Sequence, residues 1–141
     1  MAIALKRAYE QASPADGTRV LVDRLWPRGV ARAKAHIDCW FRALAPSDDL
    51  RKWFHERPSM WLAFRERYLQ ELRSPAAAPE LEELHELAAK KRKLTLIFGS
   101  KDEQHNNAVV LKELIEGMKK PPHKVKREPA AAQAQTAQAK R

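Results

Sequence analysis

Three short runs of strand-forming residues predict the strands of a sheet. The first, Ile3 to Tyr9, alternates apolar and polar positions, and a second begins at Arg19 and continues through Val20 to Val22. A third, Lys93 to Phe98, is almost continuously apolar, which is the pattern of a strand buried on both faces. The turn between the first two runs is too short for a crossover helix, so these strands are expected to be either an antiparallel pair or non-neighbours.

Apolar residues at helical spacing occupy the long stretch between the second and third strands. Ile37, Trp40, Phe41 and Leu44 recur at i, i+3, i+4 and i+7, which predicts a helix with one buried face that ends at Pro46. Further helices are predicted to begin at Ser47 and near Ser59, to span Glu80 to Lys91, and to run from Ala108 to Met118.

This succession of strands and helices predicts an α/β fold. We expect one small three-layer domain over residues 1–118, with a short, mainly parallel sheet, helices on both faces and a helix-rich middle. Residues 119–141 contain two adjacent prolines, a basic cluster and an Ala/Gln repeat, with almost no bulky apolar residue. That composition predicts a disordered, basic C-terminal tail rich in Pro, Ala and Gln.

The net charge of +9 belongs mostly to this tail. Residues 119–141 hold seven Lys or Arg residues against Glu128 alone, a charge of +6, so the folded part carries +3. A charge of +3 is ordinary for a soluble domain of this size. The tail therefore introduces nucleic acid as an alternative partner, bound through its phosphates without sequence preference.

Several common kinds of site and location are not expected. Cys39 is the single cysteine, which suits a reducing cytoplasm, and it is interpreted as a small buried apolar residue rather than a nucleophile. No apolar run of about 18 residues and no signal peptide is seen, so no membrane partner is expected. The five histidines are scattered, with His55 and His85 expected at the surface, and no metal site is predicted. The cofactor and the oligomeric state stay unknown.

Polar and charged side chains follow the second and third predicted strands. If these strands are parallel neighbours, their carboxyl ends meet at one edge of the sheet, where ligands collect in α/β domains. The residues brought to this edge are Asp23, Arg24, Arg28, Lys101, Asp102, His105 and Asn106.

An anion is the natural ligand for such an edge. Arginine offers a planar fork of donors to phosphate or carboxylate, lysine adds a point charge, and the start of a helix adds a positive partial charge. We therefore expect a phosphate-bearing small molecule or a nucleotide. The candidate ligand-binding residues are Lys6, Arg7, Arg24, Trp26, Arg28, Lys101, Asp102 and Asn106.

Asp23 and His105 are the candidate catalytic residues. Imidazole titrates near neutral pH, and the nearby Asp102 is able to orient the ring of His105 for acid or base chemistry. Structural roles are the alternatives. In one alternative, Asp23 forms an internal ion pair with Arg24 or Lys6. In another, Asp102 caps the last helix.

Trp26 is also open to two interpretations. A tryptophan that precedes a proline in a turn either covers the core or offers a flat surface on which a ligand stacks. The first interpretation is favoured because an indole ring buries a large apolar area.

Five segments taken in order resemble one protein family. They are Lys6-Arg7, VDRLWPRG at 22–29, LAPS at 44–47, LRKWF at 50–54 and KDEQHNNAVVLKE at 101–113. Through them the chain resembles the YeaO-like family of small bacterial proteins, domain-of-unknown-function family 488, over residues 3 to about 118. The resemblance implies a three-layer α/β domain with a mainly parallel sheet, in which the VDRLWPRG and KDEQHN turns lie near one another. It implies no particular reaction.

Two functions remain open at this stage. In the first, a cytoplasmic α/β domain binds an anionic ligand at the edge of its sheet, with or without acid–base chemistry. In the second, a nucleic-acid-associated or regulatory protein binds phosphates through its basic tail, helped by the Lys and Arg residues at the edge of the sheet, and catalyses nothing. Whether the protein is an enzyme is left undecided between them.

Overall fold

The computed structural model describes residues 3–118, which contain a four-stranded parallel sheet in the order β1-β4-β2-β3. The strands are β1 (Ile3–Arg7), β2 (Thr18–Leu21), β3 (Cys39–Trp40) and β4 (Leu94–Phe98). β1 and β2 each pair with β4 and run parallel to it, so they are non-neighbours, one of the two expected arrangements. All five residues of β4 are buried, which confirms the strand that the sequence predicted to be covered on both faces.

Five helices complete the α/β fold. They are α1 (Arg32–Ala35), α2 (Asp48–Glu56), α3 (Trp61–Leu72), α4 (Ala78–Lys90) and α5 (Asn107–Gly117). The predicted start of α2 is confirmed, because the Ser47 hydroxyl accepts a hydrogen bond from the Leu50 N–H at 3.2 Å. Glu71 of α3 accepts the Ser47 hydroxyl at 2.6 Å and so fixes where α2 begins.

One face of the sheet packs against α2 to α5. This main apolar cluster includes Val20, Val22, Leu94, Leu96 and Phe98 from the sheet and Leu50, Phe64, Tyr68, Leu81, Leu84, Leu111 and Ile115 from the helices. Leu21 and Ile97, at the intervening strand positions, point to the other face and form a smaller cluster with Ala8. Successive side chains of a strand point to opposite faces, so the two clusters follow from the strand geometry.

The helix predicted to end at Pro46 is wrong over most of its length. α1 has only four residues and ends at Ala35. The next residue, His36, has a φ of 50°, which lies in the left-handed region and stops the helix. The chain then extends, and β3 pairs in parallel with β2. A single 3-10 turn, Arg42–Leu44, follows.

The four apolar residues behind that prediction cover both faces of the sheet. Ile37 and Trp40 pack on the smaller cluster, whereas Phe41 and Leu44 join the main cluster. A helix would have kept all four on one side. The extended chain covers both clusters and adds a fourth strand, so tertiary packing overrides the helical spacing.

His85 is buried, contrary to the expectation that it lies at the surface. The residue is 6% exposed and shares the buried side of α4 with Leu81 and Ala88. Neither ring nitrogen has a hydrogen-bond partner among the described residues. The spacing of four residues from Leu81 places the ring in the apolar stripe of α4, a position that a surface assignment overlooks.

A buried ion cluster lies on the face opposite α2 to α5. Asp16 accepts hydrogen bonds from Lys6 Nζ at 3.0 Å and from an Arg19 guanidinium nitrogen at 2.6 Å. Arg19 also donates through Nε to the Ala35 carbonyl at 2.9 Å, and Thr95 Oγ1 donates to the Asp16 carbonyl at 2.6 Å. These contacts join a 3-10 turn, Pro14–Asp16, to β1, β2, β4 and α1.

No helix among residues 3–118 has the length and apolar character that crossing a membrane requires. The predicted tail over residues 119–141 lies outside the described residues.

Replacing Asp16 tests the ion cluster. Asp16→Asn is expected to lower the free energy of unfolding at pH 7 by about 3 kcal/mol, because the buried Arg19 and the half-buried Lys6 lose their counter-charge. Burial alone would raise the pKa of Asp16, but hydrogen bonds from Lys6, the Ser13 N–H and Arg19 together hold it below the ordinary 3.8. Stability from a lowered pKa is complete above 3.8 and is lost as the pH falls through the folded-state value. The gap between variant and wild type should therefore narrow below about pH 4 in urea titrations.

The matched control is Asp48→Asn. Asp48 pairs with Arg51 at 3.4 Å, and both side chains are exposed, so the change is expected to cost under about 1 kcal/mol. Equal losses for the two variants, or a gap for Asp16→Asn that does not depend on pH, would contradict the role of the ion cluster.

Candidate functional site

The exits of β2 and β4 meet at the carboxyl edge of the sheet. Asp23 Oδ2 accepts a hydrogen bond from the Gly99 N–H at 2.8 Å, and Asn107 Nδ2 donates to Asp23 Oδ1 at 3.1 Å. A Cβ atom at Gly99 would lie 3.0 Å from Asp23 Oδ2, which shows how closely the two exits approach. The expected proximity of the two turns is therefore confirmed. We call Arg7, Asp23 and residues 99–107 the rim.

Asp23 is held by uncharged donors and forms no ion pair with Arg24 or Lys6, so the internal ion pair considered from the sequence is wrong. Arg24 donates to the main-chain carbonyls of Ala45 and Pro46, each at 3.3 Å, and Lys6 pairs with Asp16. Burial raises the pKa of Asp23, an effect that the hydrogen bonds from Asn107 and Gly99 and the charge of Arg51 oppose without cancelling.

Asn107 is a rim residue that the sequence reasoning missed. Its side chain is buried, and Nδ2 donates both to the Val22 carbonyl at 2.9 Å and to Asp23. One feature of the sequence could have identified it. A second asparagine directly follows the helix-capping residue, at a buried position where an apolar side chain would be expected. The amide of Asn107 thus joins the first turn of α5 to the exit of β2.

The turn between β4 and α5 is organised by Asp102. Its Oδ1 accepts hydrogen bonds from the N–H groups of Gln104 and His105, each at 3.0 Å. The hydrogen bond from Gln104, together with the contacts to the N–H and the ring of His105, lowers the pKa of Asp102, although burial acts in the opposite direction. Asn106, not Asp102, caps α5: its side-chain oxygen accepts from the Val109 N–H at 3.0 Å. The predicted cap was placed four residues too early, because Asp102 satisfies the turn before the helix instead.

His105 contacts Asp102, as the acid–base hypothesis requires. Its Nδ1 lies 3.1 Å from Asp102 Oδ2, and its ring meets Trp61 of α3 edge-on with the centroids 5.0 Å apart. The pair is largely exposed. His105 forms no hydrogen bond with Asp23, so the two candidate catalytic residues belong to separate groups of contacts.

Arg7 of β1 contacts the residue that precedes Lys101 in the rim. Arg7 donates through Nε to the Ser100 carbonyl at 2.8 Å, and its guanidinium carbon lies 5.1 Å from the centroid of the Tyr9 ring. Lys101, the next residue after Ser100, is exposed. Among residues 3–118, no carboxylate pairs with either cation. The ends of the Arg7 guanidinium are therefore available to a ligand.

Trp26 and Arg28 take no part in these contacts. Trp26 donates through Nε1 to the Val30 carbonyl at 2.7 Å and packs on the smaller apolar cluster beside Trp40. This is the core-covering role favoured from the sequence. Arg28 is exposed and forms no ion pair with the described residues.

Cys39 lies in β3 and is partly buried against the main cluster. Burial and the nearby carboxylates of Glu83 and Asp38 raise the pKa of the Cys39 thiol, which lowers its reactivity as a nucleophile. Within residues 3–118, no group of three His, Cys, Asp or Glu side chains is arranged to hold a metal ion.

Comparison with known proteins supplies the family. The family model described as "Inactive DUF488-N3 subclade" matches residues 2–134. The Uncharacterized protein YeaO of Escherichia coli (strain K12) is 41% identical over 120 residues, 84% of this chain and 100% of that protein. The Uncharacterized proteins Mb3100c of Mycobacterium bovis and Rv3073c of Mycobacterium tuberculosis (strain H37Rv) are each 35% identical over 115 residues, 82% of this chain and 94% of theirs. No solved structure matches the chain.

The fold and the rim define a small parallel α/β domain with polar residues gathered at its carboxyl edge. The comparisons also give the protein family of this domain. The chain belongs to the YeaO-like DUF488 family and matches the subclade described as inactive. The family expected from the five sequence segments is therefore confirmed.

Removing the Asn107 amide tests how the rim is held together. Asn107→Ala is expected to lower the free energy of unfolding by about 2 kcal/mol, because the Val22 carbonyl and the Asp23 carboxylate both lose a buried donor. Urea titration at pH 7 measures the change. The control Asn106→Ser keeps an oxygen that caps α5 and loses only the hydrogen bond from Asn106 Nδ2 to the Asp102 carbonyl at 2.9 Å, so it should cost about 1 kcal/mol. A cost for Asn107→Ala no greater than that of the control would show that the amide does not support the rim.

Proposed function

We propose that the protein is a non-catalytic domain that binds a phosphate-bearing or nucleotide-like anion at the rim. The observation that carries this proposal is the guanidinium of Arg7, oriented by the Ser100 carbonyl at 2.8 Å and paired with no carboxylate of residues 3–118. Arginine with free terminal N–H groups offers two parallel donors to a phosphate. Lys101 adds a second exposed charge next to Ser100.

The other predicted cations support this ligand less well. Lys6 is engaged by the buried Asp16, and Arg24 donates to two main-chain carbonyls. A cation that already has such partners has fewer donors left for a ligand. The proposed site therefore rests on Arg7 and Lys101, with the turn around Asp102 as its wall.

Binding without a reaction is the better supported version of this function. Both oxygens of Asp23 accept hydrogen bonds from Gly99 and Asn107, and His105 contacts Asp102 and Trp61 instead of Asp23. A general acid or base needs an atom free to reach its substrate. The description of the matching subclade as inactive points the same way. We place this binding in the cytoplasm, where a single cysteine stays reduced.

A second candidate function rests on charge alone. Residues 119–141 hold seven Lys or Arg residues and one acid, which favours binding of nucleic acid phosphates through the tail. In that case the rim plays no part in binding, and changes at Arg7 and Lys101 have no special effect.

Thermal unfolding with two phosphate probes tests binding at the rim. Millimolar pyrophosphate or AMP is expected to raise the Tm of the full chain by several degrees, because a ligand that binds the folded state alone stabilises it. The double variant Arg7→Gln/Lys101→Gln should unfold normally without the probes and lose this shift. Arg7→Lys keeps the charge but not the planar fork, so it should keep only part of the shift.

The control Lys90→Gln/Lys93→Gln removes the same charge at the opposite edge of the sheet, before β4 begins. It should retain the full shift. A wild-type chain that neither probe stabilises, or equal loss of the shift in the two double variants, overturns the assignment of the site to Arg7 and Lys101.

A further inference from the structure

A second basic surface lies around β3 and the loop that precedes it, with no contact to the Arg7 and Lys101 pair. We call it the Trp-Arg surface and define it by Trp26, Arg32, Trp40 and Arg42. The rings of Trp26 and Trp40 meet edge to face, with centroids 5.5 Å apart. Both rings cover the smaller apolar cluster of the sheet and are half-buried.

The two arginines lie against the tryptophan rings. The guanidinium carbon of Arg32 is 4.2 Å from the Trp26 centroid and 5.7 Å from that of Trp40, and Arg42 is 4.7 Å from the Trp40 centroid. Both arginines are exposed, and neither pairs with a carboxylate of residues 3–118. Such contacts fix the guanidinium planes while leaving their N–H groups free.

Hydrogen bonds hold the tryptophan rings in place. Trp26 Nε1 donates to the Val30 carbonyl and Trp40 Nε1 donates to the Asp23 carbonyl, each at 2.7 Å. The indole rings therefore form a rigid base under Arg32 and Arg42. A side chain ordered before binding loses less conformational entropy when a ligand arrives.

The positive charge of the folded part is concentrated in this segment. Residues 24–42 contain five Lys or Arg residues against Asp38 alone, a charge of +4, whereas residues 1–118 as a whole carry +3. The rest of the folded part is thus slightly acidic. Arg28 and Lys34, both exposed and without ion pairs among the described residues, extend the charge on either side of Arg32. A polyanion is the partner that matches this distribution.

We propose that the Trp-Arg surface binds single-stranded nucleic acid. The free N–H groups of Arg32 and Arg42 donate to backbone phosphates, and the outer faces of their guanidinium planes stack against bases. A single strand fits because its bases are exposed for stacking, whereas a duplex hides them. This binding is independent of the small-anion site at the rim and of the tail, because it depends on side chains of neither.

Fluorescence anisotropy with a labelled oligothymidylate of about a dozen nucleotides tests the proposal on the full chain. Arg32→Gln/Arg42→Gln is expected to weaken binding about tenfold, a loss in the range of one stacked base. Two lost phosphate contacts should also reduce the slope of log K against log salt concentration by about 1.4. Every variant keeps residues 119–141, so the contribution of the tail is the same throughout.

The chain offers a closely matched control. Arg57, directly after α2, and Arg67 of α3 lie over the Trp53 ring at 5.6 and 4.2 Å, so Arg57→Gln/Arg67→Gln removes the same charge and the same kind of ring contact, together with an exposed ion pair between Arg57 and Glu56. The affinity of this variant for the oligonucleotide should stay within about twofold of the wild-type value, apart from the general loss of attraction that follows from removing two positive charges. Arg32→Lys/Arg42→Lys keeps the charge and should retain the salt slope while binding more weakly, because lysine has no plane to stack.

Four results would overturn the proposal, three of them comparisons. The comparisons are equal weakening by the two Gln pairs, wild-type affinity in the Lys pair, and a duplex of the same length bound as tightly as the single strand. Absence of measurable binding to the wild-type chain at low salt would also overturn it. Circular dichroism of each variant confirms that a loss of binding is not a loss of folding.

Discussion

A partly buried carboxylate joins the exits of the two central strands. Asp23 accepts hydrogen bonds from the Gly99 N–H and the Asn107 amide, so β2, β4 and the first turn of α5 meet at one group. Because neither donor carries a charge, nothing fully compensates the loss of water around this carboxylate, and both hydrogen bonds must be kept. The positions of Asp102, which folds the connecting turn, and of Asn106, which caps α5, depend on this junction.

Cations in this chain divide into those used by the fold and those left for partners. Lys6 and Arg19 neutralise Asp16 inside the molecule, on the face of the sheet away from the long helices. Arg7 and Arg32, in contrast, are oriented by neutral partners, a carbonyl and an indole ring, and keep donors toward solvent. The net charge of the chain does not show which cations belong to which group. That distinction depends on which carboxylate lies within reach of each cationic side chain.

The sequence predicted most of what depends on local pattern. The buried run of β4 and the cap at Ser47 were recognisable from neighbouring residues, and the family segments placed the two polar turns together. Two kinds of feature were not predictable in this way. The apolar spacing around Trp40 serves a strand that covers both faces, which only tertiary packing decides. The partners of Asp23, Gly99 and Asn107, lie far along the chain from it, so no local signal marks them.

The central claim is that Asp23 supports the rim through neutral donors and is not part of an ion pair. The direct measurement is an NMR titration of the carboxyl carbons of the full chain. The structure predicts that the Asp23 carboxyl titrates above the ordinary 3.8, since burial raises its pKa, while Asp16, paired with two cations, titrates below 3.8 in the same spectra. An Asp23 carboxyl that titrates at or below 3.8 would contradict the account, because it would mean that a nearby cation or its hydrogen bonds outweigh the effect of burial.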